Sequence, residues 1–134
     1  MRRVLVDTGA LVALVRKNDA YHERAVAFFG EFRAGELLTT AAVLTEAMHL
    51  LPARQGPLLL DLMQSPPWRV FDINDGLARI GDLIRKYLDR PMDFADASLV
   101  WVAEQTGVLE ILTTDRDFEI YRTRALHSLQ PVEW

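Results

Sequence analysis

Arg3-Val4-Leu5-Val6-Asp7-Thr8-Gly9-Ala10-Leu11 reads as strand, acid, turn and helix within nine residues, and it sets the fold class. Val4 to Val6 is a short apolar run with no polar interruption, the pattern of a strand buried on both faces. Gly9 and Ala10 let the chain turn into a helix running to about Val15. Asp7 is therefore delivered to the edge of a sheet.

The same alternation continues outward from this segment, and it predicts an α/β fold. Asp19 is placed to cap a helix whose Tyr21, Ala25, Phe28, Phe29 and Phe32 form one apolar face, ended by Gly35. Leu37 to Thr39 is a second strand, and Thr40 caps a helix over Ala41 to Leu51 that Pro52 stops. Gly56 to about Gln64 is a further helix, closed by Ser65-Pro66-Pro67. Trp68 to Ile73 is a third strand, followed by helices over Asn74 to Tyr87 and Asp93 to Thr106, the last ended by Gly107. Glu110 to Thr113 is a fourth strand, and a final one is expected near Leu129 to Val132. Residues 1–134 are expected to form a single domain, without repeats or linkers.

Four acids recur at the boundaries of these elements: Asp7 after the first strand, Glu46 inside the helix from Ala41, Asp96 near the start of the helix from Asp93, and Asp115 after Ile111-Leu112-Thr113-Thr114. Carboxylates converging on one sheet edge repel unless a cation sits among them, and a magnesium site is the natural reading. Helical spacing supports the convergence. Glu46 lies three residues after Val43 and four before Leu50, bordering a buried face of Val43, Ala47, Leu50 and Leu51. Leu99, Val100 and Ala103 fall three, four and seven residues beyond Asp96, so that acid shares an apolar stripe. An inward carboxylate costs several kcal/mol unless something charged or hydrogen-bonding receives it.

Each acid also has a structural role open to it. Asp93 fits an N-cap and Asp96 the N3 position of a capping box. Asp7 and Asp115 can accept turn hydrogen bonds, and Glu46 can pair with an Arg across its helix. The joint pattern carries the inference, not any single acid.

Composition narrows the class. Half the residues are apolar and there are no cysteines, which excludes disulfides, zinc ribbons and thiol catalysis and fits an intracellular, cytoplasmic setting. No apolar run approaches the roughly 18 residues of a membrane span, and Met1-Arg2-Arg3 leads into no secretory h-region. Net charge is −4, but four acids around a cation leave the rest of the chain formally neutral. Arg outnumbers Lys thirteen to two, which suits phosphate oxygens but is better explained by a GC-rich genome. Other chemistries find no support. Glu46 and His49 give a single E-x-x-H where a di-iron bundle needs two. His22, His49 and His127 lack zinc spacing, and neither phosphate-binding glycine loop nor G-x-S-x-G elbow occurs. An aspartyl-phosphate enzyme would want a second Asp two residues after Asp7, where Gly9 stands.

Val4 to Leu11, Thr45-Glu46, Asp93-Phe94-Ala95-Asp96-Ala97 and Leu112-Thr113-Thr114-Asp115-Arg116-Asp117-Phe118 resemble the four acidic motifs of PIN-domain ribonucleases, most closely the VapC-type toxins of toxin-antitoxin pairs. The resemblance covers the whole chain in order. It implies a PIN-like three-layer α/β/α fold with a central parallel sheet of four to five strands. It also implies Mg²⁺- or Mn²⁺-dependent hydrolysis of RNA, with Asp7, Glu46, Asp96 and Asp115 as metal-binding catalytic acids. Asp93 and Asp117 are possible further ligands or neighbours of ligands, Thr113 and Thr8 could orient acids or water, and Arg116 could steady a phosphate. A cognate antitoxin and a homodimer are the implied protein partners, with apolar surface from Trp68, Trp101, Trp134 and the Phe-rich helix available to a dimer. An RNA-processing nuclease without an antitoxin, or a non-catalytic RNA- or protein-binding domain, are the competing readings. Cations of this kind keep several waters, so an activated water is the expected nucleophile and no side chain need be attacked.

Overall fold

Val4, Leu5 and Val6 have no exposed surface because their strand is the middle one of a five-stranded parallel sheet. The computed structural model describes residues 1–134. The strands are β1 (Arg2–Val6), β2 (Gly35–Thr40), β3 (Trp68–Phe71), β4 (Glu110–Leu112) and β5 (Gln130–Pro131), in the order β3-β2-β1-β4-β5. Val4 stands opposite Leu37 on one side of β1, and Leu5 opposite Ile111 on the other. The helices are α1 (Thr8–Val15), α2 (His22–Glu31), α3 (Ala41–Leu50), α4 (Gly56–Met63), α5 (Leu77–Lys86) and α6 (Phe94–Thr106). The connections from β1 to β2 and β2 to β3 step one way across the sheet, and those from β3 to β4 and β4 to β5 step the other way. Right-handed crossovers running in opposite directions lie on opposite faces, which gives the α/β/α sandwich.

This topology also locates a crevice. From the adjacent carboxyl ends of β1 and β4 the chain departs in opposite directions, so no connection crosses the gap between them. Gly9 keeps the gap narrow, since a Cβ there would fall 2.6 Å from Thr114 Oγ1.

Several expectations shift in detail. Asp19 does not cap α2: its Oδ1 accepts from the Tyr21 N–H at 2.8 Å, closing a turn that ends one residue before the helix. The stretch from Asn74 opens as a 3₁₀ turn, Asn74–Gly76, before α5. The face of α3 consists of Val43, Leu44 and Ala47, with Leu51 just beyond the helix end, whereas Leu50 is half exposed. Helix α6 has no stripe at all, because Ala95 through Ala103 are every one buried. It packs against both α3 and α5, so the stretch from Ala95 to Ala103 meets protein on more than one side. Trp101 is buried, Trp68 packs on Phe29 at 5.2 Å, and Trp134 stacks on Tyr21 at 5.4 Å. The larger exposed apolar residues instead include Leu58, Leu60 and Leu62 of α4. No helix is long and apolar enough to cross a membrane.

Thr40 ties two of the acid-bearing helices together. Its Oγ1 accepts from the Val43 N–H, capping α3, and lies 2.8 Å from Ser98 Oγ of α6. Ser98 donates its own proton to the Ala95 carbonyl at 2.7 Å, so Thr40 is the donor in the pair. Thr40→Ala removes a helix cap and a buried hydroxyl contact together. Urea unfolding is expected to show a loss of about 1–2 kcal/mol. A loss near zero would mean that the cap is replaced by water.

Candidate active site

Asp7 is the residue on which the crevice turns. It occupies the N-cap position of α1, yet its side chain makes no capping bond and is only 6% exposed. One oxygen, Oδ2, accepts from Thr113 Oγ1 at 2.8 Å, across the gap between β1 and β4. Thr113 is held in turn, because its hydroxyl oxygen accepts the Asp115 N–H at 2.9 Å. Its carbonyl receives the Trp134 indole N–H at 3.3 Å. Burial raises the Asp7 pKa to about 6, with the Thr113 bond opposing and the charges of Asp115 and Glu46 adding to the rise.

Asp96 is the most perturbed of the acids. Burial first, then the charges of Asp93, Asp7 and Asp115, lift its pKa to about 8. It also completes a capping box: its Oδ2 accepts from the Asp93 N–H at 3.2 Å, while Asp93 Oδ1 accepts from the Asp96 N–H at 2.8 Å. The capping role and the place in the acidic crevice thus coexist, because the box engages only one carboxylate oxygen. Glu46 pairs with no Arg and accepts instead from Thr8 Oγ1 at 3.0 Å, which fixes α3 to the start of α1. Asp115 accepts from the Asp117 N–H at 2.9 Å through Oδ1.

Of the secondary residues, Thr8 and Thr113 each orient an acid directly. Asp117 turns toward Arg90, with 3.8 Å between Oδ1 and Nη1. Asp93 is exposed at its cap. Arg116 is exposed and shares a groove with Arg24, Thr113 and Asp115, and neither Arg stands in an ion pair. A second open groove, lined by Thr45, His49, Leu50 and Phe94, connects Glu46 with Asp93.

No three of these carboxylates stand close enough to enclose an ion by themselves. The donor set still suits one kind of cation. All donors are hard oxygens, and hydroxyls steer two of the four acids. Mg²⁺ or Mn²⁺ is commonly held by one or two carboxylates and keeps waters that reach the rest. Sequence spacing did not reveal Tyr121, buried at the edge of the same charges, because it follows the last acidic motif at no recognisable interval.

No curated protein matches the sequence. A solved structure from Mycobacterium tuberculosis, VapC20, described as a sarcin-ricin loop cleaving toxin, is similar with a TM-score of 0.79. The match covers 87% of this chain and 93% of that one at 24% identity, and it speaks for the fold. The PIN domain family model matches residues 4–123, which take in all four acids and the strands that carry them. With sheet order, crevice and motif order in agreement, the chain belongs to the PIN domain family.

Proposed function

We propose that this chain is a Mg²⁺- or Mn²⁺-dependent endoribonuclease and the toxin of a VapBC-type pair. The observation that carries the reading is Asp7, a buried carboxylate that caps nothing and is aimed by Thr113 into a crevice shared with Asp96, Asp115 and Glu46. Family membership and the likeness to a structure described as a sarcin-ricin loop cleaving toxin support it. Asp7 and Asp96 would be the principal metal ligands, with Glu46 and Asp115 receiving metal-held waters. A divalent ion so bound supplies charge neutralisation at the phosphate and acidifies water. The protein's own part is positional. Thr113 and Thr8 orient the acids, and Arg116 with Arg24 offers guanidinium groups to the RNA backbone beside them. The reading needs no side-chain nucleophile. An antitoxin would inhibit by placing a basic side chain among the acids, and a homodimer would form through the exposed leucines of α4.

Purified protein freed of any antitoxin is expected to cleave RNA, including a sarcin-ricin loop hairpin, with Mg²⁺ or Mn²⁺ and to stop on chelation. Cleavage persisting in EDTA would end the metal mechanism. In bacteria, expression alone is expected to slow growth, relieved by co-expressing the gene immediately upstream. Normal growth with active, soluble protein would leave a ribonuclease that is not a toxin.

A further inference from the structure

A groove of about 410 Å³ opens beside Asp115, lined by Tyr21, Arg24, Thr113, Arg116 and Trp134 among others. One wall is aromatic. The Trp134 indole stacks on the Tyr21 ring at 5.4 Å with 28° between the planes, and the Arg24 guanidinium lies over the Tyr21 ring at 5.2 Å. The indole is fixed, because its N–H donates to the carbonyl of Thr113 at 3.3 Å, and the hydroxyl of Thr113 holds Asp7. The pair is thus tied directly to the residue that aims Asp7, yet Tyr21 remains 37% exposed. A second groove, which includes Gly9, Arg16 and Leu50, shares Tyr21 and Thr114 with the first, and Leu50 also lines the groove that reaches Glu46. The three run on from one another past the acids, with the aromatic pair toward one end. Charge alone does not hold a polyanion there. Arg24 and Arg116 are exposed and in no ion pair, but Asp115, Glu119 and Glu133 line the same groove. What the groove offers besides is ring surface, and every nucleobase has a π face that stacks on aromatic side chains whatever the sequence.

We propose that Tyr21 and Trp134 form a stacking platform for a nucleobase of a single-stranded RNA segment whose backbone runs past Arg24 and Arg116 to the acids. The inference rests on the ribonuclease reading above and gives that site a base-contacting subsite. Stacking of one base on an aromatic side chain is worth on the order of tenfold in affinity, and it is lost when the base is absent even if the phosphates remain. Leu in place of either ring keeps apolar bulk but offers no π face.

The test is fluorescence anisotropy in EDTA, where no cleavage is expected, with a labelled oligoadenylate of about ten nucleotides and an abasic oligomer of the same length. The wild type is expected to bind the adenylate about tenfold more tightly than the abasic probe. Tyr21→Leu and Trp134→Leu are expected to bind the two probes nearly alike, whereas Tyr21→Phe and Trp134→Phe, which keep a ring, retain the preference. Arg116→Ala is expected to weaken both probes by the same factor, because phosphate is common to them. A preference that survives in both Leu variants, or is lost in Phe variants that circular dichroism shows to be folded, overturns the proposal. One that survives in a single Leu variant removes that ring from the platform. A wild type that cleaves RNA with Mg²⁺ yet shows no preference for the adenylate ends this inference alone. A wild type that neither binds the adenylate nor cleaves RNA ends the ribonuclease reading and this inference with it.

Discussion

Asp7→Asn is expected to lose more than about a hundredfold in RNA cleavage while folding normally. Loss of a group that merely hydrogen-bonds a metal ligand costs 10–100-fold, and a ligand removed outright should exceed that. The fold should survive because the Asp7 carboxylate caps no helix and its backbone bonds, including the one to Leu112 at 3.0 Å, are untouched. Asn retains an oxygen to accept from Thr113, so the change isolates charge from shape. Thr113→Val supplies the comparison. It should fall within the 10–100-fold range, since it keeps every acid but frees Asp7 from the bond that aims it and Asp115 from the hydroxyl that receives its N–H. Circular dichroism and a cleavage assay on a hairpin RNA would check both. An Asp7→Asn protein of wild-type activity would remove Asp7 from the site.

The second large effect is on stability without metal. The folded-state pKa values of Asp96, about 8, and Asp7, about 6, both lie above the ordinary 3.8. For a carboxyl raised in this way the native state holds its proton longer than the unfolded chain. The group imposes no cost below pH 3.8, an increasing one as pH rises toward the folded pKa, and a constant one above it. Asp7 contributes between pH 4 and 6, and Asp96 between pH 4 and 8. In EDTA the protein is therefore expected to become less stable across that window. Two carboxylates about 5 Å apart at an effective dielectric of about 20 repel by roughly 3 kcal/mol. Solvent screening reduces what is recovered on removing one of them.

Asp96→Asn should accordingly stabilise the metal-free protein at pH 8 by about 2 kcal/mol, or about 6–10 °C in Tm for a chain of this size. The capping box should persist, because the Asn side-chain oxygen can still accept from the Asp93 N–H. The variant is expected to gain less from Mg²⁺, since ligand linkage stabilises only what binds, and to be inactive. Melting curves in EDTA at pH 5 and pH 8 are the measurement. A lower Tm than wild type at pH 8, with activity retained, would reduce Asp96 to a helix-capping residue.

Much of this site could be read in one dimension because its parts are local. A run of three apolar residues followed by Asp-Thr-Gly encodes strand, acid and turn through nearest-neighbour chemistry. Asp93 and Asp96 form their capping box across a single helical turn. Thr40 was legible as a cap for the same reason, being one turn from Val43. Periodicity was a weaker guide where burial came from several directions. Helix α6 looked striped from three spacings but is buried at every position from Ala95 to Ala103, and Leu50 fitted a stripe yet faces an open groove.

By itself the sequence determined the order of strands and helices along the chain and the family, and it singled out the four acids as candidates. Each follows from backbone propensity or from a motif a few residues long. The tertiary structure alone decided how those acids are oriented. The bond from Thr113 to Asp7 spans 106 positions and that from Thr8 to Glu46 spans 38, distances over which chain spacing carries no orientation. It turned Asp117 toward Arg90, left the Asp7 side chain buried without a capping bond, and left the Tyr121 hydroxyl buried without a partner. Desolvation is set by everything that packs around a group, so the raised pKa values of Asp7 and Asp96 exist only once the sheet and both layers of helices have closed over them.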